Sequence, residues 1–163
     1  MNIFATFGCP RKSAAYLDDK RVVKMVLESA QILSTVRYKW GYEPIYKPTH
    51  INHPCVKWAA EGILNHYWLF EHFVALCEEY TKRYKKIHKC QQYMDTFLTH
   101  LHPAVAISGT PFVNCTTFKH LTDVHEAYRL YLEDKWAKDK RKPTWYGSAY
   151  RNTGEQSWII TTI

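Results

Sequence analysis

The sequence lacks the long apolar run that a membrane helix needs. Spanning a bilayer takes about 20 consecutive apolar residues, and no stretch approaches that length. The opening residues, MNIFATFGCPRK, carry neither a basic start nor an extended apolar segment, so no secretory leader is expected. Cysteine is sparse and scattered. Cys9, Cys55, Cys77, Cys90 and Cys115 are odd in number and include no CxxC pair, which predicts reduced thiols in a cytosol-like compartment. The chain also lacks repeats, low-complexity linkers, a Walker loop, a nucleophile elbow and an HExxH helix. Its acidic residues are not grouped as a two-metal nuclease would group them. Those absences exclude the commonest nucleotide-hydrolysing, serine-hydrolase and zinc-protease designs.

Acidic residues are outnumbered. Fifteen Asp and Glu face 22 Lys and Arg, for a formal charge of +7 and an isoelectric point near 9.1. Such a balance suits a polyanionic partner, nucleic acid first. The 163 residues suit one domain spanning 1–163, and a chain of this size buries roughly 70% of its unfolded surface. An aromatic share of 15% argues against disorder and leaves two uses for the rings, a Tyr- and Trp-rich core or surfaces that stack on bases.

The apolar pattern is helical. Ser13 is a candidate cap for a first helix reaching about Val36, with Val22, Met25, Val26, Ser29, Leu33 and Val36 on one face at steps of three and four. Lys20, Lys24, Glu28, Gln31 and Thr35 occupy the opposite face, and Leu27 intrudes there. Residues 37–53 read as a loop broken by Gly41, Pro44 and Pro48. Pro54 fits the first position of a second long helix, capped by Asn52 or His53, bent at Gly62 and ending near Tyr84. Ile63, Tyr67, Phe70, Val74, Cys77 and Tyr84 form its expected buried stripe. A short helix over 91–101 and a last long helix from about Thr117 to Asp139 follow, the latter with Leu121, Val124, Tyr128, Tyr131, Leu132 and Trp136 turned inward and Pro143 stopping it. Residues 1–8 form a short strand or an extended arm. The predicted fold is all-α: a compact domain of three main helices, irregular loops and an aromatic C-terminal tail with a possible terminal strand.

Four constellations carry chemistry. On the first helix, Glu28 follows Lys24 and Lys20 at four-residue steps, with Arg21 beside them. A carboxylate among cations serves as a general acid or base, or forms a solvated ion-pair face. The run His50-Ile-Asn-His53-Pro-Cys55 has ligand-type residues, but its spacing matches no standard structural zinc site and no second Cys/His pair stands at a useful distance. The residues predict no metal and no cofactor, and capping or phosphate contact at a helix N-terminus is the simpler reading. Two basic stretches, Lys82–Lys89 and Lys135–Lys142, hold ten of the 22 cations. Cations so clustered neutralise phosphates or favour helix C-termini. Directly after the second stretch, Pro143-Thr144-Trp145-Tyr146 offers rings that stack on bases or anchor the tail.

In order along the chain, Leu17-Asp18-Asp19-Lys20 with Glu28, the His53-containing entry to the second helix, and Leu132-Glu133-Asp134-Lys135 running into Pro143-Thr144-Trp145-Tyr146 resemble the pyrimidine-dimer DNA glycosylase family, known from phage and bacteria. The resemblance is that of a divergent, phage-type member, and it implies a helical domain that binds duplex DNA and extrudes a nucleotide to reach a buried base. It implies an N-terminal amine as nucleophile, assisted by a glutamate at the position of Glu28, with imine formation and strand cleavage by elimination. α-Amino groups titrate near ~8, which leaves part of their population neutral and nucleophilic at neutral pH. Asn2 is too bulky for ready removal of the initiator, so the amine is that of Met1, with Lys24 as the other candidate nucleophile. Leu27 and Gln31 stand where the resemblance implies basic residues, which leaves a different base lesion, a modified base or a lapsed enzyme open.

The expected catalytic residues are therefore Glu28, Met1 and Lys24. The expected DNA contacts are Lys20, Arg21, Gln31, Asn52, His53, Lys85, Lys86, Lys140, Arg141, Trp145 and Tyr146. The partner is duplex DNA or a nucleotide, the protein is expected to be a monomer, and the compartment is the cytoplasm, that of a bacterial host if the gene is a phage's. A non-catalytic DNA- or nucleotide-binding protein and an enzyme on free nucleotides are the alternative functions on the same scaffold.

Overall fold

The corner between the first two helices is built around one buried guanidinium. In the computed structural model, which describes residues 1–99 and 106–148 and the backbone of two short tail strands, the expected first helix is two helices. α1 is Pro10–Tyr16 and α2 is Asp19–Lys39. Leu17 and Asp18 between them are extended. Ser13 does not cap the helix. It lies inside α1, where its hydroxyl accepts from Phe7 N–H and donates to the Phe7 carbonyl. The break leaves carbonyls at the end of α1 without helical partners, and Arg83 takes two of them, Ala15 and Leu17, while pairing with Asp19 and Glu79.

The apolar face read on α2 is the buried one. Val22, Met25, Val26, Ser29, Leu33 and Val36 are all buried, and the helix packs chiefly on α4. It runs past Val36 to Lys39 because Ser34 and Thr35 tie the following loop back onto it. Ser34 Oγ accepts from Ile45 and Tyr46 N–H, and Thr35 Oγ1 accepts from Thr49 N–H.

The second long helix is also divided. α3 is Pro54–Glu61, with His53 as its cap, and α4 is Ile63–Tyr84. At Gly62 the carbonyls of Ala106 and Ser108 accept from Ile63 and Leu64 N–H, so another segment supplies what the broken helix lacks. A methyl on Gly62 would overlap the Ser108 carbonyl, which is why the backbone passes there as glycine. The expected stripe on α4 is partly misplaced. Phe70 and Cys77 are buried, but Tyr67 and Tyr84 are exposed, and Leu69, Phe73 and Leu76 carry the core instead.

A 3₁₀ turn, Lys89–Tyr93, leads into α5, Met94–Leu98. The last helix, α6, is Val124–Lys138, shorter than expected. Asn114 and Thr116 hold the preceding segment in side-chain-to-backbone turns, and Asp123 caps α6 by accepting from His125 and Glu126 N–H. Of the residues expected inward, Tyr128, Leu132 and Trp136 are buried. In the tail, Tyr150–Arg151 pairs antiparallel with Ser157–Trp158. The fold is all-α in its architecture. No helix among the described residues is long and apolar enough to cross a membrane.

Candidate functional site

The N-terminal residues are an arm, not a strand. Residues 2–6 are buried. Asn2 sets the arm's shape: its Oδ1 accepts from the N–H groups of Ile3 and Phe4, and its Nδ2 donates to the Cys115 carbonyl. That local turn holds Phe4 at a φ of 41°, a left-handed conformation that costs energy for a large side chain. α6 grips the arm from the other side. The His125 ring bonds the Ala5 carbonyl at 2.7 Å, and Arg129 donates to the Thr6 carbonyl at 2.7 Å.

This mounting delivers the chain's amine to one carboxylate. The Met1 nitrogen lies 3.3 Å from Glu28 Oε1, with the two side chains only 3% and 14% exposed. Glu28 sits on the α2 face expected to be polar, one turn beyond Lys24. The pair lies in a cleft of about 260 Å³. One wall is aromatic: Phe4 stacks on Tyr131 with ring centres 6.2 Å apart, and the Lys135 ammonium sits 4.5 Å over the outer ring of that stack. The other wall is cationic, formed by Lys20, Arg21 and Lys24 from α2. An amine, a carboxylate, a ring to stack on and several cations thus line one small space.

Not every cation there is available. Arg21 pairs with Asp18 at 3.2 Å and with Asp139 at 2.8 Å. Its pKa is raised, because those two carboxylates outweigh the opposing effect of burial. Lys20 lies 3.8 Å from Asp139 but is largely exposed. Lys24 is exposed and has no anionic partner among the described residues.

The other expected residues fall into three groups. Gln31 is half-buried, one turn past Glu28 on α2. His53 and Asn52 lie at the start of α3 outside the cleft lining. Asn52 is exposed, and His53 Nδ1 accepts the Cys55 N–H at 3.1 Å. Burial lowers the His53 pKa, the N-terminal charge lowers it further, and Glu28 opposes the shift. Lys85 and Lys86, past the end of α4, and Lys140 and Arg141, past α6, are exposed and do not line the cleft. Both basic stretches nevertheless reach the same corner, since Arg83 and Tyr84 bond Asp19 while Asp139 meets Lys20 and Arg21.

Trp145 and Tyr146 part company. Trp145 packs edge-on against Trp136 and donates to the Tyr16 carbonyl, so its ring anchors the tail. Tyr146 is 72% exposed, although its backbone N–H is held by Asp19. Thr144 also donates to Asp19, and Trp136 donates to Asp18. The Asp18-Asp19 and Thr144-Trp145-Tyr146 segments are therefore one joint.

Sequence reasoning did not place Asn2, Phe4, Tyr131 or Lys135 at the site. The four-residue step from Tyr131 to Lys135 on α6 was the available signal. It also missed Cys115, which the fold sets with its Sγ 3.3 Å from that of Cys55. The hydrogen bond donated by Cys55 lowers the Cys115 thiol below its ordinary value, against the opposing effect of burial. The same bond and burial push the Cys55 thiol up.

A family model for pyrimidine dimer DNA glycosylases matches residues 1–92. The chain belongs to that family. The matched part of this glycosylase-family chain holds the arm, α2 with Glu28, and α3 and α4, while Tyr131 and Lys135 lie beyond it. No curated protein and no solved structure matches the chain.

Proposed function

We propose that this family member is a DNA N-glycosylase with abasic-site lyase activity, acting on a damaged or modified base in duplex DNA. The observation that carries the reading is the 3.3 Å approach of the Met1 amine to Glu28 within the cleft. The neutral amine attacks C1′ of an extruded deoxyribose. The N–C1′ bond forms, the glycosidic bond breaks, and the base leaves with its electron pair and gains a proton. Opening of the C1′–O4′ bond, with the proton held by Glu28 passing to O4′, then gives a protonated imine. Glu28 takes the proton released by the amine and stabilises the positive charge that develops. Loss of a C2′ proton expels the 3′ phosphate, and water releases the enzyme from the cleaved strand. Tyr131 and Phe4 form a wall on which a base can stack, and Lys20 and Lys24 are placed to meet flanking phosphates.

Borohydride reduction tests the covalent step. Incubation with an abasic duplex and borohydride should yield one cross-linked species whose modified peptide begins at Met1. A chain carrying extra residues ahead of Met1 should give none, and Glu28→Gln should trap far more slowly. Equal trapping by all three proteins would sink the proposal.

A further inference from the structure

The histidine and cysteine at the start of α3 lacked a partner in the sequence, and the fold supplies one. One ring nitrogen of His53 and the sulfurs of Cys55 and Cys115 all lie within 4.8 Å of one another. Two of these donors are thiols already 3.3 Å apart. Tetrahedral zinc with Zn–S bonds of about 2.3 Å sets two sulfurs roughly 3.8 Å apart, so the thiols need to part by only about half an ångström. We propose that His53, Cys55 and Cys115 form a zinc site, with its fourth position left to water.

The surroundings suit an ion. Cys55 is fixed within the first turn of α3, and Cys115 is pinned at both backbone polar atoms. Its N–H donates to the Tyr128 hydroxyl, and its carbonyl accepts from Asn2. Two of the three ligands are thus set before metal arrives, which lowers the ordering cost of binding. His53 must change its bond. Its Nδ1 lone pair now accepts the Cys55 N–H, and a neutral imidazole has a single lone pair. If Nδ1 binds the ion, that amide turns to the charge on its own residue's thiolate. Both thiols lose their protons on binding, so zinc uptake releases two protons per ion. The charge balances as two thiolates and one divalent cation.

The position gives the site a purpose. Asn2 bonds the Cys115 carbonyl, so the loop that would hold the ion is also the loop that holds the arm. A metal here locks His53, Cys55 and Cys115 into one unit bonded to the arm through Asn2, without entering the cleft lining.

Cobalt reports the site directly. The reduced full-length chain should take up one Co²⁺ with thiolate-to-metal charge-transfer absorption and the strong visible bands of a tetrahedral ion, and zinc should displace it. Cys115→Ser, at the half-buried ligand, should lose the charge-transfer band while keeping its helical circular dichroism. Cys9→Ser, at an exposed cysteine, should keep the band. A cobalt spectrum without charge transfer, or one unchanged in Cys115→Ser, overturns the proposal. So does a purified chain that carries a Cys55–Cys115 disulfide and takes up no metal under reducing conditions.

Discussion

The Asn2 side-chain amide donates to the Cys115 carbonyl at 3.0 Å, across 113 residues of chain. Through the same side chain the arm is bent at Ile3 and Phe4. Removing the side chain leaves two buried N–H groups and one carbonyl to find other partners, at about 1 kcal/mol or more each. The larger effect should fall on the amine. A misplacement of about 1 Å at a reacting centre can cost on the order of 100-fold in rate. Asn2→Leu, which keeps a bulky second residue and so keeps Met1, should therefore slow single-turnover trapping by about that factor with little change in duplex affinity. Asn2→Asp keeps the acceptor that shapes the turn and should recover part of the loss. An unchanged trapping rate in Asn2→Leu would show that the arm is held by α6 alone.

Much of this arrangement was legible in the chain, but unevenly. The buried face of α2 follows from its three- and four-residue steps, and His53-Pro54 marks a helix start through local chemistry. Contacts that join distant segments were not legible. The apolar steps that begin at Val22 do not reach back through Asp18 and Asp19, but that short interruption does not show how the break is held; Arg83, on another helix, makes it tolerable. The tail motif Thr144-Trp145-Tyr146 was ambiguous for the same reason, since Asp19 and Tyr16 decide what it does. The approach of Met1 to Glu28 was an implication of family resemblance. Helical spacing alone left Glu28 on a face that reads equally well as a solvated one.

Arg83 gives the sharpest stability prediction. Its side chain is 1% exposed and bonds two carboxylates and two carbonyls. Breaking a buried charge network by removing one partner costs about 3–5 kcal/mol, because the carboxylates left behind are uncompensated. Arg83→Met should lower the free energy of urea unfolding by that amount and loosen the joint that carries Thr144. A loss below about 1 kcal/mol would mean that water reaches Asp19 and Glu79 freely.

Stability should fall with mild acid because of two core histidines. Burial lowers both His66 and His72 to about 4, from an ordinary value of 6.5. Their folded forms therefore resist protonation while the unfolded chain accepts it. The stabilisation is complete above pH 6.5, declines as pH drops from 6.5 toward 4, and is gone below that. Each histidine contributes on the order of 3 kcal/mol at most. His53 and His88 lean the same way, both through burial. Urea unfolding at pH 7.5, 6 and 5 should show a steady loss, and His72→Phe, which keeps a ring against Trp68, should flatten it. A pH-independent midpoint over that range would contradict the burial of these rings as neutral groups.

Salt dependence should separate the cations that meet DNA from those spent on the fold. Lys24 is exposed at the cleft and unpaired among the described residues, whereas Lys138 already pairs with Asp134 at 2.8 Å. Each phosphate contact contributes about 0.9 to the slope of log affinity against log salt. Lys24→Ala should lower that slope by close to one contact's worth, and the effect should be alike for intact and abasic duplexes, since a phosphate contact carries no base information. Lys138→Ala should change it less, because Lys138 is already paired with Asp134 and lies outside the cleft lining. Anisotropy titrations of a labelled duplex at several salt concentrations measure both slopes. Parallel lines for wild type and Lys24→Ala would remove Lys24 from the DNA interface and move the phosphate track toward the exposed lysines beyond α4 and α6.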